Sequence, residues 1–123
     1  MQSEAVTVAD GVCIQVEQCR ENGIAFQLWP ASRALAKHLA ATWDKNEFGL
    51  EQASVLELGA GCGLVGLTAA ALGAKSVLLT DTHDAQQHLQ ANIDANERAG
   101  CVPCGVASAR VLHWGERMDS DAE

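Results

Sequence analysis

The residues best suited to chemistry lie together in Val55-Leu56-Glu57-Leu58-Gly59-Ala60-Gly61-Cys62-Gly63-Leu64. The apolar start reads as a short buried strand. The glycines then let the chain turn sharply into a helix while leaving backbone open to a ligand. A helix N-terminus placed there offers unpaired N–H groups and the positive end of its dipole to an anionic group. Asp81 follows 22 positions after Gly59, at the carboxyl end of the next expected strand. A carboxylate there can accept hydrogen bonds from both ribose hydroxyls of an adenosine ligand, as at the switch point of a doubly wound sheet. Glycines alone signal only a tight turn. Strand, glycines, helix, strand and terminal acid in this order favour an adenosine ligand. Gly61, Gly63 and Gly66 also fit G-x-G-x-x-G, which keeps NAD as the alternative. Against NAD, residues 1–53 precede the glycine strand, and 123 residues leave no room for a second mononucleotide-binding half.

Other reactive side chains form weaker patterns. Cys101-Val102-Pro103-Cys104 could be half a zinc site or a redox pair. The remaining cysteines, Cys13, Cys19 and Cys62, lack the spacing of a second pair, and a redox pair belongs at a helix start after a strand. Two bystander thiols in a loop are the expectation. His38, His83, His88 and His113 show no ligand spacing and receive no role, and no metal site is expected.

The elements that must position the glycine loop follow from periodicity. Val6, Val8, Val12, Ile14 and Val16 alternate around Asp10-Gly11, which predicts a β-hairpin over residues 5–18. Asn22-Gly23 marks a turn, and Ile24 to Leu28 reads as an extended lead-in, the hairpin and lead-in together spanning 5–28. Pro30 opens a helix over 30–43 with Leu35, Leu39 and Trp43 on its apolar stripe. A polar connection, 44–52, separates it from a βαβαβ unit over 54–116. Within that unit, a helix from Leu64 to Leu72 is closed by Gly73, Val77 to Asp81 forms a strand, and a helix covers about 84–99 with Ala85, Leu89 and Ile93 inward. A third strand spans about 105–112, and an acidic tail, 117–123, follows. Strands alternating with helices imply parallel pairing.

Composition bounds the function. With 16 Asp+Glu against 8 Lys+Arg the formal charge is −8, which argues against nucleic acid as a partner and is compatible with a basic protein substrate. The 48% apolar content is that of a folded domain, and one domain is expected at this length. No apolar run reaches the roughly 18 residues of a membrane span, and the start, Met1-Gln2-Ser3-Glu4, has no export signal. Five unpaired cysteines then suit a reducing compartment, cytoplasmic or nuclear.

Val55 to Leu67, VLELGAGCGLVGL, resembles the first motif of the seven-strand S-adenosylmethionine-dependent methyltransferases. Leu28-Trp29-Pro30-Ala31-Ser32, Leu72-Gly73-Ala74, Thr80-Asp81, Leu89 with Asn92 and Asn96, and Leu112-His113-Trp114-Gly115 are similar to the methyltransferase-16 family, and to its methyltransferase-like-21 protein-lysine N-methyltransferases in particular. The resemblance runs through residues 5 to 116 in order. It implies an α/β, Rossmann-like methyltransferase fold with S-adenosylmethionine as cofactor. Gly59, Ala60 and Gly61 would line the cofactor, with Glu57 near the methionine amine, Asp81 on the ribose, Trp114 on the adenine and Trp29 closing the pocket. A protein substrate, of chaperone type in the nearest resemblance, is also implied.

The family's substrate-side Asp-x-x-Tyr segment, after a fourth strand, has no counterpart here. The expectation is a single partial domain truncated after the third core strand. Its glycine strand would lie at an open edge that favours self-association, and the chain alone would not turn over a protein substrate. The alternative functions are a non-catalytic cofactor- or partner-binding module and an NAD-binding oxidoreductase fragment.

Overall fold

The computed structural model describes residues 2–43 and 51–115. Most of the polar connection expected at 44–52, and the acidic tail at 117–123, lie outside them. The chain opens with an antiparallel hairpin, β1 (Gln2–Ala9) and β2 (Val12–Gln18), registered from Gln2↔Gln18 to Ala9↔Val12. Val6, Val8, Ile14 and Val16 point inward from it, as their alternation requires. The segment expected to be extended instead coils into two short 3-10 turns, Arg20–Asn22 and Ile24–Phe26. Helix α1 (Pro30–Trp43) starts at the proline. Its buried stripe is Ala36, Ala40 and Trp43, while Leu35 is 51% exposed, because α1 presents small residues to α2 and approaches it closely.

The βαβαβ unit forms as expected: β3 (Ser54–Glu57), α2 (Leu64–Ala71), β4 (Ser76–Asp81), α3 (His83–Arg98) and β5 (Ala107–Val111). The three strands are parallel in the order β3-β4-β5, with Val55 beside Val77 and Leu79 beside Ala109. Val77, Leu79 and Ala107 face the helices and are buried with Leu67, Leu89 and Ile93. The glycine strand departs from the expectation of full burial. Val55 and Glu57 turn toward the helices, whereas Leu56 and Leu58 stand 59% and 55% exposed on the sheet face that no described helix covers. Gly66 lets α2 lie close on β4: a Cβ there would stand 2.6 Å from a Leu79 methyl carbon.

Polar side chains seat the hairpin on this unit. Arg33 of α1 makes a bidentate ion pair with Glu4, its Nη2 2.6 Å from Oε1. The side-chain Oε1 of the buried Gln18 accepts the Leu28 N–H at 2.8 Å. On the free edge of β2, Asn96 accepts the Gln15 N–H at 2.8 Å and donates to the Gln15 carbonyl at 2.8 Å. Asn92 does the same for Glu17 at 3.0 and 3.2 Å. Alternate strand residues recur about every 6.7 Å and helical i, i+4 residues about every 6 Å, so two asparagines one turn apart can stand in for a neighbouring strand. The two asparagines bridge backbone, which satisfies edge groups that would otherwise be buried unpaired.

Candidate cofactor site

Residues 58–63 leave β3 and turn over the carboxyl end of β4. Gly59 and Gly61 both adopt positive φ, +63° and +58°, where L side chains are strained. The loop is pinned to β4: the Ala60 N–H donates to the Thr80 carbonyl at 2.8 Å and the Gly61 N–H to Asp81 Oδ2 at 2.8 Å. The Thr80 hydroxyl donates to the Glu57 carbonyl at 2.7 Å. Asp81 Oδ1 accepts the Thr82 N–H at 2.7 Å. A carboxylate has about four acceptor directions, so Asp81 keeps two for a ligand.

A cleft of about 460 Å³ opens beside this loop, lined by Gly59, Asp81, Thr82, Leu112, His113 and Trp114. Trp114 is 75% exposed, and a Cβ on Gly59 would lie 3.8 Å from its ring. The bare glycine and the indole thus bound one space, with the Asp81 carboxylate also lining it. Three of the expected site residues, Gly59, Asp81 and Trp114, converge here. Ala60 and Gly61, expected to line the cofactor, do not line the cleft: Ala60 is buried, Gly61 half-buried, and their backbone N–H groups are spent on holding the loop to β4. Thr82, Leu112 and His113 join the first three; the last two stood in a recognised motif without a role, and Thr82 carried no signal beyond following Asp81.

Two further expected residues, Glu57 and Trp29, also lie off the cleft. The Glu57 carboxyl turns into the fold, where Oε1 accepts the Gly66 N–H at 2.9 Å and caps α2. Burial pushes it up to about 7, helped by the negative charge of Asp81 and opposed by the Gly66 hydrogen bond. Glu57 does not line the cleft, since strand alternation sends it to the helix side. Trp29 does not line it either. Its indole N–H donates to the Ile24 carbonyl at 2.9 Å and braces the second 3-10 turn. That turn reaches the loop itself: the Ala25 carbonyl would lie 3.4 Å from a Cβ on Gly61.

The third glycine of the G-x-G-x-x-G match is a packing residue. Cβ atoms on Gly63 and Gly66 would meet Leu89 and Leu79 at 2.9 and 2.6 Å, the close helix–strand packing that any tight glycine turn of this kind requires. Cys62 is buried, and desolvation followed by the charge of Asp81 pushes its thiol up to about 11, so it is no thiolate nucleophile. His88 lies 3.8 Å from its sulfur and packs at a tilt against Phe26. Cys101 and Cys104 are free thiols. Among the described residues no cluster of His, Cys, Asp and Glu could hold a metal, and no helix is long and apolar enough to cross a membrane.

The chain is 37% identical over 108 residues to protein N-lysine methyltransferase METTL21A of Mus musculus, covering 87% of this chain and 46% of that protein. It is 33% identical over 100 residues to the protein-lysine N-methyltransferase rrg1 of Schizosaccharomyces pombe, covering 81% and 32%. The chain therefore spans about half the length of the first relative and a third of the second. A solved structure from Thermoplasma acidophilum aligns with 76% of this chain and 45% of its own, at 22% identity and a TM-score of 0.48. Residues 8–123 match the sequence profile of the lysine methyltransferases, and the chain belongs to that family.

Proposed function

We propose that the chain is the cofactor-binding part of an S-adenosylmethionine-dependent protein-lysine N-methyltransferase acting in the cytoplasm or nucleus. The observation that carries the reading is the convergence of Gly59, the Asp81 carboxylate and the Trp114 indole on one cleft. Asp81 has acceptor capacity to spare for a ribose diol, and Gly59 leaves the space beneath Trp114 that a side chain would fill. Trp114 offers an apolar π-face for an adenine. When bound, S-adenosylmethionine supplies an electrophilic methyl group on a sulfonium. The chain's own task is to hold that donor in one orientation, since alignment dominates the catalysis of an in-line transfer. Asp81 fixes the loop through Gly61 and would fix the ribose through its remaining lone pairs. Glu57 holds the N-terminus of α2 in place.

A lysine ammonium, with an ordinary pKa of about 10.4, must lose its proton before it can attack. Desolvation and the nearby sulfonium would both favour the neutral amine. Relatives named as protein-lysine methyltransferases support a protein lysine as the acceptor, and a chaperone-type protein is the substrate class the motif resemblance favours. Calorimetric titration with S-adenosylhomocysteine and with NAD tests the reading. The expected result is saturable binding of the first and none of the second. Tighter binding of NAD would overturn it.

A further inference from the structure

Asn92 and Asn96 make matching contacts to the hairpin edge but differ in one further bond. Asn96 Nδ2 also donates to the Asn92 carbonyl at 2.7 Å, within α3. Asn92 Nδ2 also donates to the Cys62 carbonyl at 2.9 Å, in the glycine loop. That carbonyl is where a regular α2 would accept the Gly66 N–H. Glu57 takes that N–H instead, and the helical ladder begins with Leu67 N–H to the Gly63 carbonyl at 2.9 Å. Asn92 thus supplies the partner that the helix withdraws. It is 1% exposed, and both its amide hydrogens and its oxygen are engaged. One side chain joins β2, α3 and the loop.

We propose that Asn92 is a positioning residue that couples docking of the N-terminal hairpin to the conformation of the glycine loop, and thereby to cofactor affinity. The proposal rests on the reading that this loop holds S-adenosylmethionine. Asp81 anchors the loop from β4 through Gly61, and Asn92 anchors it from α3 through Cys62. Removing Asn92 leaves the Cys62 carbonyl buried without its partner, so the loop relaxes toward other conformations. On the hairpin, removing Asn96 frees only the Gln15 backbone groups and leaves the Glu17 contact and the loop anchor of Asn92 intact.

The test compares Asn92→Ala and Asn96→Ala by residue-resolved amide hydrogen exchange and by calorimetry with S-adenosylhomocysteine. Asn96→Ala should exchange faster at Gln15 and Asn92→Ala at Glu17. Only Asn92→Ala should exchange faster at the Gly61 and Gly63 amides, with affinity about ten-fold weaker, against a change below about two-fold for Asn96→Ala. Equal loop exchange in the two variants would overturn the proposal. The unmodified chain gives a reciprocal measurement, because coupling between two sites runs both ways. Ligand should protect the Glu17 amide more than the Gln15 amide, and equal protection would also overturn the coupling. If the unmodified chain binds no S-adenosylhomocysteine, the functional reading fails, while the difference in loop exchange still decides the role of Asn92.

Discussion

Asp81 combines two duties that substitution can separate from ordinary charge effects. Asp81→Ala removes the acceptor of the Gly61 N–H together with the proposed ribose contact. Cofactor binding should weaken by about 2–4 kcal/mol. Asp84, exposed in the first turn of α3, interacts favourably with the helix dipole, so Asp84→Ala should cost stability of about 0.5 kcal/mol and leave affinity unchanged. Calorimetry on both variants checks this, and equal losses of affinity would remove Asp81 from the site. Glu57 carries a pH signature. Its carboxyl lies at about 7 in the fold against an ordinary 4.5. Between those values the folded chain holds more protons than the unfolded one, so this contribution is fully present below pH 4.5 and lost as pH rises through 7. The loss is at most about 3 kcal/mol. Glu57→Gln keeps an acceptor for the Gly66 N–H and cannot ionise. Its urea midpoint should therefore gain on that of the unmodified chain between pH 5 and pH 8, and parallel midpoints would contradict the assignment. The position of Asp81 against the glycine loop was legible, because strand, glycine turn, helix and strand in that order bring a strand-end carboxylate there. The orientation of Glu57 was not, since proximity to the motif outweighed the strand alternation that turns it away.

The packing of α2 on β4 depends on Gly66. A Cβ there would stand 2.6 and 2.7 Å from buried Leu79 carbons, so Gly66→Ala should destabilise the chain by about 1–3 kcal/mol, read from its urea midpoint. An unchanged midpoint would show that Leu79 yields freely. The strands and helices of the βαβαβ unit were readable because period and caps are local. The buried stripe of α1 was not: leucine spacing pointed to Leu35, and the helix instead presents alanines where it meets α2 closely. The asparagine ladder was legible only as two residues one helical turn apart that suit backbone bridging, and the strand edge they meet was not. Its bonds join residues 75 and 81 positions apart, and no local pattern encodes such a pairing.

At the scale of the molecule, the hairpin, α1 and the sheet share one core, and the cleft lies at the carboxyl end of the strands, where open α/β sheets bind ligands. The sheet face with Leu56 and Leu58 exposed makes concentration-dependent association of the isolated chain the expected behaviour in sedimentation, reduced by Leu56→Ser with Leu58→Ser. A single species at all concentrations would contradict it. Membership of the family was legible because its motifs recur in order along the whole chain, whereas the acceptor protein has no signature among them. The most direct measurement is a crystal structure of the chain with S-adenosylhomocysteine. The account predicts ribose hydroxyls within hydrogen-bond distance of Asp81 and the adenine against Trp114. A ligand bound elsewhere, or a ribose that leaves Asp81 untouched, would contradict it.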